Sequence, residues 1–140
     1  MTSMSVRTFL DTNVLVYAFD DGEPEKRDRA RALLIEPPSA LVISAQVIGE
    51  FYVVVTRKLA RPLAPIDARA AVAQLLRLPV VPVDAELTSA AVATSESSQL
   101  TYWDALIIEA ASAAGCGVVL TEDLADGSTI RSVRIENPFG

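Results

Sequence analysis

Short, almost wholly apolar runs rich in β-branched residues alternate along this chain with longer stretches of helical pattern, and few folds accommodate that alternation. Val6 to Leu10, Ala40 to Ile43, Val80 to Val83 and Gly117 to Leu120 read as strands covered on both faces, with Ser132 to Ile135 a weaker fifth. Between them lie helical segments: Asn13 to Ala18 with Thr12 at its N-cap, Pro24 to Leu34, a helix capped by Ser44 and running to Ala60, Pro65 to Leu78, Ala85 to Ser95 capped by Asp84, and Trp103 to Ala114, stopped by Gly115. Strands separated by helices pair in parallel through crossover connections. The expected fold class is therefore α/β: a three-layer α/β/α sandwich with a central, mainly parallel sheet. With no internal repeat, low-complexity tract or linker, residues 1–140 are expected to form a single domain.

That architecture gives meaning to four acids. Asp11, Glu50, Asp104 and Asp123 each interrupt or closely follow an apolar run, and no Lys, Arg or His stands beside any of them in sequence. A carboxylate in apolar surroundings is costly unless it is protonated, paired with a base or bound to a cation. Ligands of open parallel sheets bind beyond the carboxyl ends of the strands, and Asp11 and Asp123 follow strands there. Glu50 lies beside the apolar stripe of the Ser44 helix, so it is expected to face the protein, and Asp104 lies in the first turn of its helix, where the dipole favours a negative charge. The four are far apart in the chain, so only the fold can gather them.

Composition narrows the chemistry. Histidine is absent, which excludes Ser-His and Cys-His hydrolases and every His-ligated metal. Cys116 is the only cysteine, so there is no intrachain disulfide and no thiolate zinc cage; it reads as a small core residue. Oxygen-only ligands suit hard cations such as magnesium or manganese. A gathered set of four carboxylates that binds such ions is suited to phosphodiester hydrolysis. The net charge of -6 argues against a protein that coats nucleic acid, but not against a nuclease whose bound cations invert the sign of its pocket. No apolar run approaches the ~18 residues of a membrane span, and the first residues lack the pattern of a signal peptide, so a cytoplasmic protein is expected.

Four segments carry a family resemblance. Phe9-Leu10-Asp11-Thr12-Asn13-Val14-Leu15-Val16-Tyr17, Ser44-Ala45-Gln46-Val47-Ile48-Gly49-Glu50-Phe51, Tyr102-Trp103-Asp104-Ala105-Leu106-Ile107 and Leu120-Thr121-Glu122-Asp123-Leu124 resemble, in order, the signature blocks of PIN-domain ribonucleases. The ending Ile135-Glu136-Asn137-Pro138-Phe139 is similar to the tail common in VapC-type toxins of toxin-antitoxin pairs. The resemblance spans the whole chain. It implies a PIN-like fold and a magnesium- or manganese-dependent endoribonuclease, with Asp11, Glu50, Asp104 and Asp123 as metal ligands and catalytic residues. Thr12, Asn13 and Thr121 would orient a carboxylate or a water. Asp126 is a peripheral candidate, and Glu122 is expected to point away. Implied partners are RNA, a cognate antitoxin protein and a second copy of the chain in a homodimer, with no membrane.

Taken singly, Asp11 could equally be a helix cap, Asp104 a first-turn acid and Glu50 a partly exposed helix acid. A phosphoacceptor receiver domain is the alternative acidic-pocket α/β reading, but the lysine it needs after a late strand is missing, since none follows Lys58. A catalytically silent PIN-like module is a further alternative, disfavoured by the full acid set. The basic residues Lys26, Arg27, Arg29 and Arg31 read as a solvated helix face with i,i+4 pairs. Apolar residues on the Ser44 helix, Val47, Ile48, Phe51, Tyr52, Val53, Val54 and Val55, spread over more than one face and point to an interface.

Overall fold

The computed structural model describes residues 6–140. Six strands form one sheet in the order β3-β2-β1-β4-β6-β5. The first strands are β1 (Arg7–Leu10), β2 (Leu41–Ser44), β3 (Val80–Val81) and β4 (Cys116–Leu120), followed by β5 (Thr129–Ile130) and β6 (Val133–Glu136). All neighbours pair in parallel except β5 with β6. Helices α1 (Thr12–Tyr17), α2 (Pro24–Ile35), α3 (Ala45–Arg57), α4 (Pro65–Leu75), α5 (Ala85–Ser98) and α6 (Tyr102–Ala113) fill the connections. α6 packs on β2, β4 and β6 with α5 against it, whereas α3 packs on β2 with α1 and α4 alongside. This is the mainly parallel α/β arrangement expected, with the apolar runs of β1 and β2 almost fully buried at its centre.

Register sets the working edge of the sheet. Leu10 pairs with Leu120 and Phe9 with Val42, so Asp11, Ser44 and Thr121 arrive together at the carboxyl ends of β1, β2 and β4. The Asp11 amide donates to the Leu120 carbonyl (3.1 Å), and the Thr121 amide to Glu136 (3.0 Å). Two of these residues turn the chain directly into helices. Ser44 Oγ accepts from the Val47 amide (3.3 Å) to cap α3, and Asp11 Oδ1 accepts from the Thr12 amide (2.7 Å) to cap α1. The cap of α1 is thus Asp11 rather than Thr12, because α1 starts one residue earlier than its apolar pattern.

Other boundaries differ for physical reasons. β3 is only Val80–Val81, since Pro82 has no amide to extend the ladder. α3 ends at Arg57 and α4 at Leu75, short of Ala60 and Leu78. α5 continues to Ser98 and closes on Gln99 in the left-handed region (φ 56°), while Gly115 (φ 72°) ends α6 as expected.

β5 has no counterpart in the sequence reading. It pairs antiparallel with β6 through a tight turn whose central residues, Arg131 (φ 53°) and Ser132 (φ 63°), both take the positive φ that twisted hairpins require. The Arg131 guanidinium meets the buried Glu109 carboxylate of α6 (3.0 Å), which also accepts from Thr94 of α5 (2.6 Å). One carboxylate therefore joins two helices to the hairpin, which offsets the strain of a non-glycine turn.

The basic residues of α2 are exposed or half-exposed, as a solvated face requires, but they do not form the i,i+4 pairs expected. Lys26 reaches Glu122 (3.0 Å), Arg29 the Pro138 carbonyl (3.1 Å) and Arg31 the Ala18 carbonyl (2.8 Å), while Arg27 pairs with Asp21 and Asp28. These contacts fasten a weakly apolar helix to the body of the protein. Cys116 is buried as expected, and burial pushes its thiol up to about 11.

Candidate metal centre at the carboxyl edge

Asp11 is the most confined of the four acids. Its residue is only 6% exposed, with Oδ1 on the Thr12 amide and Oδ2 accepting from the Thr121 hydroxyl (2.8 Å). Burial pushes its carboxyl up to about 6 from the usual 3.8; Asp123 and Glu50 add to the rise, and the hydrogen bonds from Thr121 and Thr12 oppose it. The two other carboxylates are therefore close enough to be felt electrostatically.

A polar shell ties them to Asp11. Thr121 Oγ1 accepts from the Asp123 amide (3.0 Å) and from Asn13 Nδ2 (3.2 Å), and Asn13 Nδ2 also donates to Asp123 Oδ2 (3.0 Å). Thr12 Oγ1 donates to Glu50 Oε1 (2.8 Å). Thr12, Asn13 and Thr121 thus link three acids from three separate parts of the chain. Glu50 is solvent-exposed, contrary to the expectation that it faces the protein: α3 buries Val47, Phe51 and Val55, and Glu50 sits on the border of that stripe. Asp123 is likewise exposed.

Asp104 is half-buried in the first turn of α6, where its amide donates to the capping Thr101 hydroxyl (3.1 Å). Among the described residues no hydrogen bond links its carboxylate to the other three. Its helix is joined to α3 instead through Gln46 Nε2 and the Trp103 carbonyl (3.4 Å), one turn before Glu50. No three carboxylates among the described residues form a finished cation cage. Asp126 Oδ1 accepts from the Asn137 amide (2.9 Å), a bond that spans the loop before β5.

Glu122 directs its carboxylate to Tyr17 and Lys26, and its amide donates to Asn13 Oδ1 (3.3 Å). Lys26 also reaches the Tyr17 hydroxyl (3.3 Å), and Phe139 packs edge-on against the Tyr17 ring (4.9 Å). Burial and the Glu122 hydrogen bond raise the Tyr17 hydroxyl above its ordinary range. The nearby cation is thus occupied by Glu122. Sequence reasoning missed Tyr17, Lys26 and Gln46, whose partners lie far away in the chain.

The donors at this edge are all oxygens, and each Asp11 oxygen keeps a lone pair beyond the hydrogen bond it accepts. Such a set fits a hard divalent cation, which would also relieve the confinement of Asp11 near two like charges.

The PIN domain family model matches residues 8–125. The chain belongs to the PIN domain family. This membership, with the observed strand order, sets aside the receiver-domain alternative. Several solved structures share the PIN fold. A toxin-antitoxin complex from Klebsiella pneumoniae superposes with a TM-score of 0.69 at 20% identity, covering 94% of this chain and 98% of that one. VapC20 of Mycobacterium tuberculosis, described as a sarcin-ricin loop cleaving toxin, gives 0.63 at 21% identity over 80% and 86%. VapBC2 of Rickettsia felis, bound to a DNA fragment from its promoter, gives 0.62 at 20% identity over 94% and 98%. No curated protein matches the chain significantly in sequence. No helix among the described residues is long and apolar enough to cross a membrane.

Proposed function

We propose that this PIN-domain protein is a metal-dependent endoribonuclease that hydrolyses RNA phosphodiester bonds and acts in the cytoplasm as the toxin of a VapBC-type toxin-antitoxin pair. The observation that carries the reading is the hydrogen-bonded set of Asp11, Glu50 and Asp123 at the carboxyl edge of a PIN fold. The toxin names of similarly folded proteins support the biological role.

Asp11, Glu50, Asp104 and Asp123 would hold one or two magnesium or manganese ions. When bound, such an ion supplies activation of water and neutralisation of charge on a phosphodiester. The protein's own task is orientation. Thr121 holds one oxygen of Asp11 and the amide of Asp123, Asn13 holds the Asp123 carboxylate, and Thr12 holds Glu50. With no histidine and its one cysteine buried, the chain offers neither a His-activated nor a thiol nucleophile. RNA is cut where its backbone is single-stranded or looped, because in-line attack needs an accessible phosphate.

An antitoxin and a second copy of the chain are the protein partners. Tyr52 and Val53, 43% and 45% exposed on α3, supply apolar surface for such contacts. Expression in a bacterial host tests the reading. Growth arrest with newly cut RNA ends is expected from the wild-type chain, and neither from Asp11→Asn. A soluble wild-type protein that leaves growth and RNA intact would overturn it.

A further inference from the structure

We propose that Trp103 is a stacking platform for an unpaired nucleobase next to the phosphate that is cut, an inference that rests on the ribonuclease reading above. Trp103 is the only tryptophan in the chain, is 61% exposed, and immediately precedes Asp104 in the first turn of α6. The fold does not use its ring for the core: α6 buries Ala105 through Ala111 instead. Yet the residue is held in place. Tyr102 braces the indole edge-on (4.9 Å, 77°), and the Trp103 carbonyl accepts from Gln46 Nε2 at the start of α3.

The same Gln46 amide supplies an independent observation. Gln46 Oε1 is the one buried side-chain oxygen or nitrogen among the described residues that lacks a hydrogen-bond partner. A buried acceptor left unpaired is costly, which marks the seam between α3 and α6 as a place that the fold does not complete by itself. Thr101 and Asp104 stand beside Trp103 in the chain and Gln46 meets its backbone carbonyl, and a polar surrounding of this kind suits a nucleobase better than an apolar protein face. Charge by itself opposes a polyanion here. α6 carries no Lys or Arg and the chain has a net charge of -6, so a polyanion needs a contact at this edge that does not depend on opposite charge. Base stacking on an aromatic ring meets that need with any sequence.

Since Trp103 is the sole tryptophan, its fluorescence reports this position alone. The Asp11→Asn protein, which should bind without cutting, is titrated in magnesium with a single-stranded RNA of about ten nucleotides. Saturable quenching is expected, with the same midpoint as anisotropy of the labelled RNA. Trp103→Ala should weaken anisotropy-measured binding about ten-fold, and Trp103→Phe should restore most of it. In the otherwise wild-type chain, Trp103→Ala should raise KM by a similar factor and leave kcat within about two-fold. RNA that binds without quenching, together with unchanged affinity in Trp103→Ala, would overturn the platform and leave the ribonuclease reading standing. A wild-type chain that neither binds nor cuts RNA would overturn both. Loss of protein-protein association in Trp103→Ala, with RNA affinity intact, would assign the ring to a protein partner and refute the inference.

Discussion

Replacing Asp11 with Asn should change the stability of the metal-free protein with opposite signs on the two sides of its titration. The Asp11 carboxyl sits near 6 in the folded chain against 3.8 ordinarily. As pH rises from 3.8 towards 6, the unfolded chain gives up this proton before the folded one does, so stability falls through that window and the full cost is present above it. A displacement of that size corresponds to about 3 kcal/mol at neutral pH. Asn carries no charge and removes the cost. It also loses a hydrogen bond. Thr121 Oγ1 donates its proton to Asp11 Oδ2 while already accepting from Asn13 and Asp123, so an amide N–H placed there finds no free acceptor. Turning the amide over moves the same conflict to the Thr12 N–H, and either arrangement costs about 1–2 kcal/mol.

Together these effects make Asp11→Asn more stable than wild type by about 1–2 kcal/mol above neutral pH, and less stable by a similar amount near pH ~4. In melting temperature that is roughly 3 °C per kcal/mol for a chain of this size. Urea or thermal unfolding in the presence of a chelator, at both pH values, measures the difference. The same stability difference at both would mean that Asp11 titrates like an exposed aspartate, and the confinement argument would fail.

Magnesium or manganese should raise the melting temperature of the wild-type chain in a concentration-dependent way, and Asp104→Asn should lose most of that response. An equal response in the variant would place the ion away from α6. Arg131→Ala leaves the buried Glu109 with only the Thr94 hydroxyl; because the guanidinium is more than half exposed, the expected loss is about 1–3 kcal/mol by urea unfolding, and a change under ~0.5 kcal/mol would remove Glu109 from the account of the hairpin. Light scattering at micromolar concentration should find a dimer, and a strictly monomeric chain would refute that assembly. Saturation with the antitoxin should suppress RNA cleavage, and undiminished cleavage in the saturated complex would refute inhibition.

Much of this was legible in the sequence because the core strands are fully buried and nearly all apolar. β1, β2 and β4 stand where Phe9-Leu10, Val42-Ile43 and Val119-Leu120 would put them, and the carboxyl-edge rule then brought Asp11 and Asp123 to one side. β5 was illegible for the opposite reason. It is two residues long, and its turn uses Arg131 and Ser132 where glycine or asparagine would have signalled a hairpin. The sequence also could not show that Glu50 is exposed, since helical periodicity places a border residue only to within a face. Nor could it find the Tyr17, Lys26 and Glu122 contacts, which depend on α1 and α2 meeting the loop that follows β4. The ordered blocks singled out four acids, of which the coordinates join Asp11, Glu50 and Asp123, and the expected orienting residues Thr12, Asn13 and Thr121 needed coordinates to show which carboxylates they hold.

The most direct test of the central claim is cleavage of labelled single-stranded RNA by the purified chain and by Asp11→Asn, each with magnesium, with manganese and with chelator. The acid-edge account predicts internal cuts by the wild-type chain in either metal, none in chelator, and at least a ~100-fold lower rate in the variant, since removal of a charged metal ligand should forfeit most of the rate enhancement. Wild-type rates in Asp11→Asn, or undiminished cleavage in chelator, would contradict it.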